Sequence, residues 1–398
     1  MPTLGEIFAG LRAEASVLDY IPQELHRGIA AGTEETLLTS YFEAAQAAAK
    51  KIIVPPGKYW IEYFDCESNR VWEGQGYESY LYNPQTNAVV NRQSIFGLGD
   101  MHPAAFKATP TTSLHLPTYA TAAIAAGANS ATLSTPANYI YFSVGQWVFV
   151  RTTEELLLST FYYPYWGQIA KIVAIDSGTG KLTFDRPVKL AITTPLVCPI
   201  GGTTDSYMGI PWYICENVEI SNLRVSARCI LSTRTGGDRI NIHDIWAEDS
   251  TDLLSLNCMN NSKFTNIHGP WSRRKIEVAC YSQNVVTDLV DGPCSAVTGN
   301  FEGIDVHEQS SDIYINRSKL TIPATNTETG SNNVGVSLNG RDIFLDHCTI
   351  EHFGAGSGNP VALIYGNDFV GYGPDNIHIT RTTLAGVAAG LQTVGDDY

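Results

Sequence analysis

Cys215-Glu-Asn-Val-Glu-Ile-Ser-Asn-Leu-Arg-Val-Ser226 and, one repeat later, Gly237-Asp-Arg-Ile-Asn-Ile-His-Asp-Ile-Trp-Ala-Glu248 decide the fold. Ile220, Ile242, Phe264 and Val286 recur at one constant interval, and Leu223, Ile245, Ile267 and Leu289 repeat it three places behind them. Two apolar columns in phase over four copies define a structural repeat. Asp312-Ile-Tyr-Ile315, Asp342-Ile-Phe-Leu345 and Asn376-Ile-His-Ile379 keep the alternation while the interval stretches from copy to copy, so loops lengthen between equivalent strands. Short alternating strands with Asn, Asp and Gly at the corners suit a parallel β-solenoid. The Leu-x-x-Leu-x-Leu spacing of leucine-rich repeats is absent. The expected fold is an all-β, right-handed parallel β-helix in which each coil adds about 4.8 Å along the axis.

Thr39–Lys51 predicts a helix with a hydroxyl cap, Glu43 early and lysines late. Ile52–Ile61 reads as strand, turn and strand, and Val71–Gly76 as another short strand. The segment 77–118 shows no clear period. Gln146–Arg151, Gln168–Ile175 and Lys181–Asp185 form a meander. The chain thus divides into an N-terminal cap with a helix (1–51), first coils (52–118), a small antiparallel β insertion (119–197) and the main parallel β-helix (198–398).

Composition sets the outer bounds. In 398 residues, 44% are apolar and 16% charged, enough to bury a large core. Forty acidic against 25 basic side chains give a net charge of −15, which argues against nucleic acid or an anionic membrane as a general partner. No window reaches the apolar length of a membrane span, and Met1–Glu14 does not read as a signal peptide. The eight cysteines lack zinc spacing, and buried free thiols are expected, including Cys258 and Cys280 in one corner column.

Val17-Leu-Asp-Tyr-Ile-Pro22, the segment through His26 and Gly32-Thr33, the Ala-rich helix, Val54-Pro-Pro-Gly-Lys-Tyr59 and Trp72-Glu-Gly-Gln-Gly76 resemble the entry to pectate-lyase-like β-helices, most of all the phage tailspike depolymerases. The match covers the chain up to Gly76 as motif and the remainder as architecture. It implies carbohydrate substrates, a work site on a virion tail or outside the cell, and in many members a homotrimer. The chain departs from the family in showing no obvious separate anchoring domain and no long C-terminal trimerisation segment. Fold alone does not choose among lyases, hydrolases and structural fibres.

Aligning the second strand of each coil places Leu231, Ser255, Glu277, Asp305, Ser337 and Leu363 in one outward column, and Thr233, Asn257, Ala279, His307, Asn339 and Tyr365 in its neighbour. Glu277 and Asp305 then lie on adjacent coils. Like charges that close raise one pKa, preparing a proton donor beside a carboxylate. With His307, Lys275 and Arg273 they form the expected catalytic group, flanked by Arg274 and Asn257 for substrate binding. Hydrolysis is the leading expectation. Elimination on a uronate-containing glycan is the alternative, in which Lys275, Arg273 and His307 supply the base and the neutralising cations. A non-catalytic carbohydrate-binding spike is the third reading.

Phe161-Tyr-Tyr-Pro-Tyr-Trp166 offers Tyr162, Tyr163, Tyr165 and Trp166 as a sugar-stacking platform or as a packing plug, while Trp246 and Trp271 are candidates for the same groove. Asp244, Glu248, Asp249 and Asp252 read mainly as turn-formers. No cofactor is expected, and a sugar or Ca²⁺ contact is the alternative role of those corner acids. Gly354–Gly358 lacks the Gly-Lys-Ser/Thr of a phosphate loop and reads as a linker.

Overall fold

The computed structural model describes residues 12–83, 94–98, 118–155, 165–200, 213–227, 229–231, 236–248, 250–279, 281–294, 302–307, 310–322, 334–353, 362–365, 375–386 and 391–394. Gly354–Gly358, Tyr162, Tyr163, Thr233, Asp249 and Cys280 lie outside that set.

Three parallel sheets wind around one apolar core. The long sheet runs, neighbour to neighbour, through Arg12–Ser16, Ala49–Val54, Arg70–Gly74, Cys215–Ser226, Gly237–Glu248, Met259–His268, Gln283–Asp291, Ser311–Asn316, Arg341–Asp346 and Asp375–Thr380. The second stacks Phe64–Asp65, Ser94–Gly97, Cys229–Leu231, Ser250–Asn257, Trp271–Ala279, Glu302–Val306, Val334–Leu338, Ala362–Tyr365 and Leu391–Val394. Lys319–Ile322, Thr349–His352 and Thr383–Gly386 make the third. Strands adjacent in space are a full coil apart in sequence, which makes the molecule a parallel β-helix.

Alternation produces the core. Ile220, Ile242 and Phe264 pair rung to rung and are fully buried. Each such side chain contributes about 1.5–3 kcal/mol of transfer free energy. The fourth copy corrects the sequence reading, because Phe264 pairs with Thr287 and Ile267 with Val290, a step one position longer than the one before it. Val285, Thr287 and Val290 point inward, whereas Val286 is half-buried and Leu289 is 39% exposed. Adjacent valines at 285 and 286 satisfy either register on hydropathy alone. Later coils lengthen progressively, from Val285 to Ile313, from there to Ile343, and from Ile343 to Ile377.

The corners are left-handed. Asn222, Asp244, Asn266 and Leu289 occupy one column with φ of 55°, 56°, 53° and 53°. A second column holds Asn217, Arg239, Asn261, Asn284, Asp312, Asp342 and Asn376, all with positive φ. Short amide and carboxylate side chains tolerate this conformation and can bond between rungs. Asn217 donates to Asn69 at 2.8 Å, Asn284 to Asn261 at 2.9 Å and Asn376 to Asp342 at 2.7 Å.

The N-terminal end is closed by helices Gln23–Ala31 and Thr39–Ala48. Phe42 is fully buried and stacks on Trp72 at 5.7 Å, and Phe64 and Phe96 pack around the same indole. Leu38 is the N-cap of the second helix; the Thr39 hydroxyl accepts instead from the Glu62 amide at 2.9 Å. Lys50 and Lys51 belong to the following strand, so they do not terminate the helix.

Between two coils sits a six-stranded antiparallel sheet, ordered Tyr119–Ala120, Pro195–Pro199, Trp147–Glu155, Tyr165–Asp176, Lys181–Phe184 and Ser130–Thr132. The long sheet passes it without a gap, for Arg70–Gly74 pairs directly with Cys215–Ser226. The insertion packs against the coils through Trp147, Phe149, Ile169 and Cys198, which meet Cys258, Ala279 and Tyr281; the Phe149 and Tyr281 rings lie 4.7 Å apart. Glu216 ties the two together, accepting from Trp147 Nε1 and Lys171 Nζ at 2.8 Å each.

Candidate active site

On the second sheet, Ser255, Glu277, Asp305 and Ser337 pair in register across four rungs. Their neighbours Leu254, Leu256, Ile276, Val278, Ile304 and Val306 fill the coil interior at 0% exposure. The polar column therefore faces away from the core. The first coil departs from the expected alignment, since Cys229 pairs with Asp252 and not with Leu253.

An outward direction does not make this column solvated. Glu277 is 8% exposed and Asp305 1%, so the carboxylates need partners, and they have them. Arg274 Nη1 donates to Glu277 Oε1 at 2.6 Å, and Arg274 Nε lies 3.5 Å from Asp305 Oδ2. His307 Nε2 is 2.9 Å from Asp305 Oδ2 and 3.7 Å from Glu277 Oε1. Ser255 Oγ donates to Glu277 Oε2 at 2.5 Å, and Asn257 Nδ2 donates to Ser255 Oγ at 3.3 Å. Two carboxylates, one guanidinium and one imidazole make a cluster whose charge depends on the histidine.

Burial alone raises the pKa of Glu277, yet the Arg274 guanidinium, followed by His307, outweighs it and holds this carboxyl well below the usual range. The expectation that crowding raises a pKa fails for Glu277, because Arg274 lies between the two acids and supplies the missing positive charge. Glu277, Asp305 and His307 offer ligand atoms within 4.8 Å of one another, a spacing that suits a cation, but Arg274 already fills that electrostatic role.

Lys275 does not share the outer face expected of it. Trp271–Ala279 gains a residue relative to Ser250–Asn257, since Ser250 pairs with Trp271 but Asp252 with Arg274. Beyond it the register is constant, yet Lys275 and Ile276 are both fully buried, as are Leu253 and Leu254 on the rung before, so two successive residues leave solvent together in both strands. Lys275 is fully buried, donates to the Lys319 carbonyl and lies 3.4 Å from Asp291 Oδ1. Burial lowers its pKa to about 8, with Asp291 partly opposing the shift. Simple alternation from Glu277 could not reveal this.

The remaining candidates divide. Arg273 belongs to the same strand, and its side chain lies outside the described residues. Trp271 is a core residue, 0% exposed, with Nε1 donating to the Gly292 carbonyl at 3.3 Å. Trp166 is 5% exposed and packs inside the insertion, so it forms part of a plug and not a platform. Tyr165 starts a strand, but its side chain is outside the described set, as are Tyr162 and Tyr163 altogether. Trp246 lies on the long sheet, away from the acid column. Asp244 serves its corner, accepting from Asn266 and from His243 Nδ1, the latter at 2.6 Å. Ser255 was legible as a column member, but its bond to Glu277 emerges only with the register.

No family model matches the chain, and no curated protein matches it in sequence. Solved structures do. The tailspike gp61 of Pseudomonas phage phi297 matches with a TM-score of 0.52 and 13% identity over 93% of this chain and 67% of its own. The tailspike gp49 of Pseudomonas phage LKA1 matches at 0.45 and 13%, covering 93% and 62%. Gp54, the tailspike of Acinetobacter baumannii bacteriophage AP22, solved with a capsular saccharide, matches at 0.46 and 10%, covering 93% and 58%. The chain thus spans about three fifths to two thirds of these tailspikes, and its likeness to the phi297 tailspike is one of fold, the parallel β-helix.

Proposed function

We propose that the protein is a polysaccharide depolymerase of tailspike type that hydrolyses glycosidic bonds at Glu277 and Asp305. The observation that carries this reading is the in-register pair of carboxylates on adjacent rungs, with oxygens within 4.8 Å and Arg274 between them. Such closeness suits a retaining hydrolase, whose carboxyls stand about 5–5.5 Å apart, better than an inverting one at about 6.5–9.5 Å. Glu277, held ionised by Arg274 and Ser255, is the nucleophile that attacks the anomeric carbon. Asp305 in its protonated form gives its proton to the leaving glycosidic oxygen. As a carboxylate it then takes one from the water that releases the sugar from Glu277. His307, in contact with both acids, exchanges that proton with solvent. The sugar enters past His307 and Arg274, whose side chains are 27% and 16% exposed.

The tailspike fold favours a bacterial surface or extracellular polysaccharide as substrate, a virion-tail or extracellular location, and a homotrimer measurable by sedimentation. Glu277→Gln and Asp305→Asn are each expected to abolish chain shortening of a cleavable capsular or exopolysaccharide, read by size-exclusion chromatography. Full activity in both variants rejects the assignment. Elimination is the second reading, favoured by a base and a cation side by side in His307 and Arg274. It requires unsaturated uronate products that absorb in the ultraviolet. Binding across a glycan panel without shortening indicates a non-catalytic spike.

A further inference from the structure

Trp246 belongs to a different surface. On the outer face of the long sheet, Tyr80, Arg224, Trp246, His268 and Asp291 pair in register over five rungs. Tyr77 stands edge-on to Trp246, with centroids 6.1 Å apart and planes at 79°. Between them opens a recess of about 480 Å³, floored by Ala247, Gly269 and Pro270 and rimmed by Glu248 and His268. That volume lies within the range of about 300–1,000 Å³ typical of small-ligand sites.

We propose that this recess is a second, non-catalytic carbohydrate site that holds a neutral pyranose unit. Two rings at right angles present a flat apolar wall and an apolar edge, which match the C–H faces of a sugar ring. The rim supplies bonds for its hydroxyls. Arg224 and the Tyr77 hydroxyl both engage Glu248 Oε1 and the Tyr80 hydroxyl bonds the same carboxylate, whose two oxygens together offer about four acceptor positions. His268 Nε2 bonds Asn266 Oδ1 at 2.7 Å, which leaves Nδ1. Charge selects the class of sugar. Arg224 is committed to Glu248 at 2.5 Å and lies 4.4 and 4.1 Å from the Tyr77 and Tyr80 ring centroids, so its charge is already matched and a uronate gains little there. Gly269 is required in the floor, because at φ 158° an added Cβ would lie 2.4 Å from the Ala247 carbonyl oxygen.

The test is saturation-transfer NMR on the full chain with methyl α-D-glucopyranoside, methyl α-D-galactopyranoside, methyl α-D-mannopyranoside and methyl N-acetyl-β-D-glucosaminide as probes. At least one probe should receive saturation at its ring C–H protons. Trp246→Ala and Tyr77→Ala should each weaken it tenfold or more, while Glu277→Gln leaves it unchanged. Tyr77 is 46% exposed, so its variant keeps the fold even where the tryptophan variant does not. Transfer to none of the four probes, or equal transfer in both aromatic variants, overturns the proposal. Because the readout is binding in a Glu277 variant as well, failure of the cleavage assignment and failure of this site are separate results.

Discussion

Arg274 allows two buried acids to share one place. Removing it takes from Glu277 its guanidinium partner, and loss of one partner from a buried ion pair costs about 3–5 kcal/mol. Arg274→Met should therefore unfold at lower urea at pH 7. The native protein and the variant should also differ in their response to acid. In the native chain the folded pKa of Glu277 lies below its unfolded value, so its stabilisation is complete above the unfolded value and is lost as pH falls toward the folded one. Without the guanidinium, burial is opposed by His307 and no longer by Arg274, so acidification from neutrality should destabilise the variant less than the native protein. Denaturation midpoints between about pH 3 and pH 7, which bracket an ordinary carboxyl, measure both slopes. Lys275 offers the converse case. Its folded pKa of about 8 lies below the ordinary value of 10.5, so the folded chain binds fewer protons between those values and stability rises with pH there. The burial penalty, about 3 kcal/mol, is present in full below pH 8. Lys275→Met should raise the neutral-pH melting temperature and remove the alkaline rise.

Among the repeating elements, the corner carries the informative exception. Three rungs place Asn222, Asp244 and Asn266 in the left-handed conformation, and the fourth places Leu289 there at φ 53°. That conformation costs a branched apolar residue about 1–2 kcal/mol, which asparagine largely avoids. Since Leu289 is 39% exposed, little core contact is lost on replacing it. Leu289→Asn should gain about 1 kcal/mol, read as a raised melting temperature with unchanged far-ultraviolet dichroism. The same corner shows what the sequence could reveal. The two apolar columns identify the coil because inward positions exclude most polar side chains. Thr287, however, fills an inward slot that hydropathy assigns to valine, so the fourth repeat reads one place out of phase. The Glu277–Asp305 pairing was legible because four rungs of the second sheet keep strict alternation. Lys275 was not, because it and its neighbour Ile276 are both fully buried, which strict alternation does not allow. Trp271 and Trp166 are indistinguishable from surface aromatics until their neighbours are known, since an indole suits a core and a sugar face equally.

At the scale of the molecule, the coils form a one-dimensional stack that accepts an entire antiparallel sheet between two rungs and keeps its pairing. The net charge of −15 is compatible with that stacking, for many of the acids sit in ladders such as Arg317 with Asp288, Arg341 with Asp375 and Arg381 with Asp346. Each rung touches only those on either side, so its pairing energy is local. This organisation gives the chain a mechanical signature. Tension applied between its two ends should peel one coil at a time, producing a sawtooth in which each release lengthens the tether by the coil's own contour. At about 3.3–3.6 Å per residue, the coil from Ile220 to Ile242 yields about 75 Å and the one from Ile343 to Ile377 about 115 Å. Force spectroscopy would then read the unequal loop lengths directly as unequal steps, a ruler written along the filament.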